Sequence, residues 1–256
     1  METFAGESLE VDRAHRLGVT SPAFHVEQSE DRRRGFMGRV IAFFGRQSKV
    51  GRTTAAVNLG VLLGRAGNDT LLVHFDDQWP AAVQLGQAAE ASEGPLRVRE
   101  RLELALPPAG FSPADVASSC ETWRETPDFL LLDLPATEKS VDPLLMMTDE
   151  IVFLLSPGRD SLTRLAEDMA TLTSILGEGN ANLKVLGLLV TRADRELEGF
   201  ERFLLQVERS FPVEVFPFTV PTAESMPPGC AVDTAPTGRI ARCYVELAME
   251  VMQDGG

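Results

Sequence analysis

The feature that most constrains this chain is an apolar run that stops at a polar, glycine-containing segment and is followed at once by an alanine- and leucine-rich stretch. Arg39–Phe44 reads RVIAFF, residues 45–52 read GRQSKVGR, and residues 53–66 read TTAAVNLGVLLGRA. β-Branched and aromatic side chains suit a pleated strand, whereas Ala and Leu favour helix, so the order is strand, loop, helix. A helix entered from such a loop turns unpaired backbone N–H groups and the positive end of its dipole toward the loop. An anion is the natural occupant there. Gly67 stands where a helix C-cap glycine belongs, and residues 70–75 (TLLVHF) form the next strand candidate.

The alternation continues down the chain. Residues 129–132, Glu150–Leu155, 184–190 and 213–216 are short and almost continuously apolar, which is the pattern of strands covered on both faces in a parallel sheet. Between them lie helical periods. The clearest places Leu162, Leu165, Met169 and Leu172 on one face, another runs from an N-cap at Ser112 to about residue 124, and a last one spans 239–252. Residues 79–127, rich in Ala, Glu, Pro and Gly, are the least regular. Strands alternating with helices imply an α/β fold, a three-layer sandwich around a mostly parallel sheet with ligand sites at the carboxyl ends of the strands. With 256 residues, 44% of them hydrophobic, one core is expected over residues 36–256; residues 1–35, polar and without period, read as a flexible N-terminal tail.

Charge narrows the partners. A net charge of -14 works against broad attraction to nucleic acid or anionic lipid, so DNA binding is disfavoured; the cluster Arg32, Arg33, Arg34 and Arg39 reads as a solvated boundary. The N-terminus is acidic, and no apolar run approaches the roughly 20 residues of a membrane span, so a cytoplasmic location is expected. Cys120, Cys230 and Cys243 lack paired spacing and suggest neither disulfides nor a zinc site.

The loop departs from the usual phosphate-binding signature, GxxxxGK followed by Ser or Thr. Gly51 and Thr53 fit, Arg52 stands at the lysine and Arg46 at the first glycine. Its context is more specific. QSKVGRTTAAVNLG resembles the KGGxGKTT loop of the ParA/MinD family of deviant Walker A P-loop ATPases (SIMIBI class), with Gln47 at the signature lysine, Ser48 and Lys49 at two glycines, and Arg52 at the second lysine. HFDDQ is similar to the family's DxDPQ, keeping Asp76 and replacing the first acid with His74. DFLLLDLPA resembles the Walker B segment, with Asp133 as its acid. TDEIVFLLSP and LKVLGLLVTRAD are similar to later family segments, with Thr191 in place of the adenine-contacting Asn. Pro217, with Phe218 after it, corresponds to the family's Ile-Pro turn, and Glu224, Pro236 and the terminal helix follow in order; the resemblance covers about residues 38–252.

The resemblance implies a P-loop NTPase that binds ATP or ADP with Mg2+. The cofactor-binding candidates are Gln47, Ser48, Lys49, Val50, Gly51, Arg52, Thr53, Thr54, Thr191, Pro217 and Phe218. Thr53 would contact magnesium, Asp133 would act through the metal's water, and Asp76 would position the attacking water. Arg52 is the catalytic candidate at the Walker lysine position. Because Arg is a planar fork rather than a compact ammonium, any ATP hydrolysis is expected to be weak. In the family ATP sandwiches two monomers, so a homodimer and a protein partner are implied. Gln47 cannot carry the signature lysine's charge across that interface; Arg46 or Lys49 stand nearby. His74 reads as a strand-end residue without a partner. The acidic C-terminus (ELAMEVMQDGG) lacks a basic amphipathic helix, so direct membrane binding is not expected. Three readings follow: a nucleotide-dependent switch that positions or regulates a cellular assembly, a pseudo-ATPase interaction scaffold, and a DNA-partition ATPase.

Overall fold

A computed structural model of the chain describes residues 37–75, 80–87, 94–107, 112–135, 141–193, 198–222 and 229–253. The expected tail over residues 1–35, including Arg32 to Arg34, lies outside them. Eight strands occur among the described residues: β1 Arg39–Phe44, β2 Thr70–His74, β3 Leu96–Arg99, β4 Leu102–Ala105, β5 Phe129–Asp133, β6 Glu150–Leu155, β7 Lys184–Thr191 and β8 Val215–Val220. They form one sheet in the order β3-β4-β2-β5-β1-β6-β7-β8. Every pair is parallel except β3 and β4, which are antiparallel at one edge.

The helices are α1 Arg52–Arg65, α2 Pro80–Gln84, α3 Pro113–Trp123, α4 Asp142–Met146, α5 Ser161–Glu178, α6 Phe200–Ser210, α7 Ala231–Thr234 and α8 Arg239–Gln253. Side chains of β1 alternate between two cores. Ile41 and Phe43 pack with α1, α2, α7 and α8, while Val40, Ala42 and Phe44 pack with α3, α4, α5 and α6. This is why the central runs lack polar alternation: both faces are covered, and a fully buried Phe43 or Phe153 contributes about 2–3 kcal/mol each. Ser112 caps α3 as its sequence suggests, in a reciprocal box with Asp115. Arg39 is a clamp rather than a surface cation. Its guanidinium bonds Glu150 and the Val251 carbonyl and lies 5.3 Å from the Phe129 ring centre.

Two features differ from the sequence reading. The irregular stretch hides β3 and β4, whose four-residue length and exposed Leu96, Arg97 and Arg99 give little apolar signal; charge on an edge strand also discourages further pairing. Pro217 does not form the turn assigned to it but sits inside β8. Proline lacks an N–H, so a strand tolerates it at a sheet edge, and here the β7–β8 register shifts between Leu188 and Val190 to accommodate the extra residues. The strand ends at Val220, and Pro221 follows it.

β1 lies between β5 and β6, and the chain leaves it through α1 toward β2. The carboxyl end of β1 is therefore the switch point at which open α/β sheets place ligands.

Candidate functional site

The loop leaves β1 at Gly45, where an added Cβ would meet the Leu154 carbonyl oxygen at 2.6 Å. Only glycine lets β1 run that close to β6. Gly51, with φ of 91°, precedes α1 and supplies no side-chain cap, and the first turn of α1 carries no acid. The orphan N–H groups thus face the loop without an internal anion. Lys49 is also left-handed, with φ of 57°, a conformation that costs a residue with a β-carbon about 1–2 kcal/mol. The family pattern has glycine there, so the backbone path persists after the glycine is gone.

Neighbouring elements hold this path. The Thr191 hydroxyl, buried at the end of β7, donates to the Val50 carbonyl at 2.6 Å, and Arg192 donates to the Lys49 carbonyl at 3.2 Å. Gln47 is locked to Ser156 by two bonds, its amide nitrogen to the carbonyl at 3.2 Å and its amide oxygen to the N–H at 2.9 Å. Arg52 folds into the loop, donating to the Gly45 carbonyl and, at 3.1 Å, to the Gln47 carbonyl. Arg46 turns the other way, onto α5. Its guanidinium reaches Thr171 Oγ1 at 2.7 Å and lies 3.4 Å from Asp168. It is therefore not the cation poised at the loop mouth. Ser48 and Lys49 are exposed at the apex, Val50 is buried, and Thr53 and Thr54 are half-buried in the first turn of α1.

Two acids matter beneath the loop. Asp168 is buried, and both of its oxygens lie 3.3 Å from the Arg46 backbone N–H. Burial pushes its carboxyl up to about 6, against the opposing pull of that N–H and of Arg46 and Arg52. It was missed because it occupies a core position of α5, between Leu165 and Leu172; an acid on an apolar stripe is the signal that could have found it. Asp133 ends β5 next to His74, which ends β2. Their side chains meet at 2.6 Å, Nδ1 to Oδ2, and both are buried. His74 is a strand-end residue, as its sequence suggests, and the partner carboxylate that sequence does not fix is supplied by sheet order, which sets it against Asp133. Its Nε2 is buried and has no hydrogen-bond partner among the described residues.

The loop, Asp133 and Thr191 are thus gathered at the carboxyl ends of the central strands. Asp76 lies outside the described residues, as does Glu224. Phe218 stacks on Phe216 with ring centres 5.3 Å apart, in the edge strand β8, two strands beyond β6; Pro217 stays with it rather than with the loop. As for magnesium, Thr53 and Asp133 are the residues that would serve it, but one Asp133 oxygen is already taken by His74. A cleft of about 570 Å³ exists at the opposite end of the sheet, lined by Asp69, Arg101 and Trp123, away from this site.

Comparison with known proteins agrees with this geometry. The profile of the CobQ/CobB/MinD/ParA nucleotide binding domain matches residues 41–227. The chromosome-partitioning ATPase Soj of Thermus thermophilus is 32% identical over 240 residues, covering 84% of this chain and 95% of Soj. The septum site-determining protein MinD of Pyrococcus horikoshii, solved with Mg-ADP, superposes with a TM-score of 0.70 at 20% identity, over 86% of this chain and 98% of MinD. Cobyrinic acid a,c-diamide synthase of Mycobacterium smegmatis, solved with ADP and magnesium, gives 0.65 at 19% identity, over 85% and 95%. A loop at the β1 switch point, a mostly parallel sheet and these matches lead to one conclusion: the chain belongs to the CobQ/CobB/MinD/ParA nucleotide-binding family.

Proposed function

We propose that this chain is a ParA/MinD-like switch that binds an adenine nucleotide at the β1–α1 loop and uses the bound state to dimerise and to position or regulate a cellular assembly, such as a flagellar, pilus, secretion or partition apparatus, through a protein partner. The observation that supports it most is the uncapped α1 N-terminus, reached through left-handed Lys49 and Gly51 and braced by Thr191, Gln47 and Arg192. Such a backbone cradle suits phosphate oxygens. Arg46 is held by Asp168 and Thr171, and Gln47 by Ser156, so Lys49 is the loop cation that reaches outward to a partner's phosphate.

A pseudo-ATPase scaffold is the second reading, favoured by the Arg52 guanidinium lying on the Gly45 and Gln47 carbonyls in the space of the usual lysine. A DNA-partition role has the name of the Thermus relative behind it and the net charge of -14 against it. Calorimetric titration with ATP and ADP, joined to light scattering, separates them. The switch requires ATP binding and an ATP-dependent dimer that Lys49→Ala weakens. No binding at millimolar nucleotide removes the switch; DNA binding that survives physiological salt promotes the partition role.

A further inference from the structure

We propose that His74 is a built-in competitor for the metal ion, holding one of the two Asp133 carboxylate oxygens, so that metal gains the whole carboxylate only by displacing imidazole. The inference rests on the nucleotide reading of the same loop. Its first support is the pair itself: Nδ1 to Oδ2 is 2.6 Å, both side chains are buried, and the two residues end adjacent parallel strands in direct register. A charge-assisted bond of that length, away from water, is among the stronger contacts a carboxylate makes.

The second support is the ring's other nitrogen. Nε2 is buried with no partner among the described residues, so within them the imidazole is anchored through Asp133. Buried side-chain nitrogens are mostly hydrogen-bonded; among the described residues this ring is tied at one end, so a metal that takes its acceptor meets a single bond. The third is charge. His74 replaces an acid of the DxDPQ-like segment, which removes a carboxylate from the site and puts a nitrogen donor in its place. Among the described residues no group of three metal-binding side chains assembles here to offset that loss. Magnesium prefers oxygen ligands and gives up its waters reluctantly, so a carboxylate with one oxygen engaged by imidazole holds it more weakly than a free one.

The test is Mn2+ binding followed by electron paramagnetic resonance at fixed pH, with and without ADP, on the wild type, His74→Asp and His74→Ala, folding being checked by circular dichroism. Both variants are expected to bind Mn2+ about tenfold or more tightly than the wild type, the equilibrium weight of one charge-assisted hydrogen bond. In the wild type, saturating Mg2+ with ADP is expected to shift the His74 ring ¹⁵N signals relative to ADP in EDTA. Equal Mn2+ affinity in the wild type and in whichever variant folds overturns the proposal, as do ring signals that ignore the metal. ADP binding measured in EDTA keeps the two readings apart. If ADP does not bind at all, the nucleotide reading fails, while the Mn2+ titration without nucleotide still decides the role of His74.

Discussion

Replacing Asp168 by Asn would test the electrostatic tie between α5 and the loop. The carboxyl is buried, accepts the Arg46 N–H with both oxygens at 3.3 Å, and is pushed by burial from an ordinary 3.8 up to about 6. An acid whose folded pKa lies above its unfolded value binds more protons when folded. It therefore adds stability at low pH and loses that contribution as pH rises from near 4 through about 6. The whole window is worth on the order of 3 kcal/mol. Linkage with these two values gives about 1.4 kcal/mol of extra wild-type stability on going from pH 7.5 to pH 5. Asn keeps a carbonyl oxygen for the Arg46 N–H and removes the titration, while the other carboxylates titrate in both proteins and cancel in the difference. Urea unfolding at several pH values between 5 and 7.5 gives the difference between wild type and Asp168→Asn directly. A difference that is flat within about 0.3 kcal/mol, or that falls toward pH 5, would refute the reasoning.

Three further outcomes are expected. Arg52→Lys should raise ATP affinity about tenfold, because an ammonium's three donors can turn to a phosphate where the planar guanidinium is held through Nη1 on the Gly45 and Gln47 carbonyls; equal or weaker binding by calorimetry counts against that account. Gly51→Ala should destabilise by about 1–2 kcal/mol in urea, and since nothing lies within 4 Å of the added Cβ, the cost is the left-handed backbone alone. Of the three cysteines, the half-buried Cys243 should react first with a disulfide reagent at pH 8. Burial pushes Cys120 up to about 12 and Cys230 up to about 11, which keeps both protonated, and a burst of more than one thiol per chain would contradict this.

Local sequence was enough to locate β1, the loop, α1 and most of the sheet, because a strand buried on both faces must be apolar throughout and a helix must repeat near every fourth residue. It was enough, too, for the family, which the domain matched over residues 41–227 bears out. What escaped it was local in a different sense. β3 and β4 are only four residues long, β3 is mostly exposed, and Pro217 reads as a turn until the sheet places it on an edge.

The chemistry of the loop was decided by tertiary structure. Gln47 and Ser156 are 109 residues apart, Arg46 and Asp168 122, and His74 and Asp133 59. No periodicity encodes those meetings. They arise because the strand order sets β2 against β5 and β1 against β6, bringing side chains from distant segments to one end of the sheet. A motif therefore named the residues that could face a phosphate, whereas the partners that hold Gln47, turn Arg46 away and occupy Asp133 exist only once the sheet is assembled.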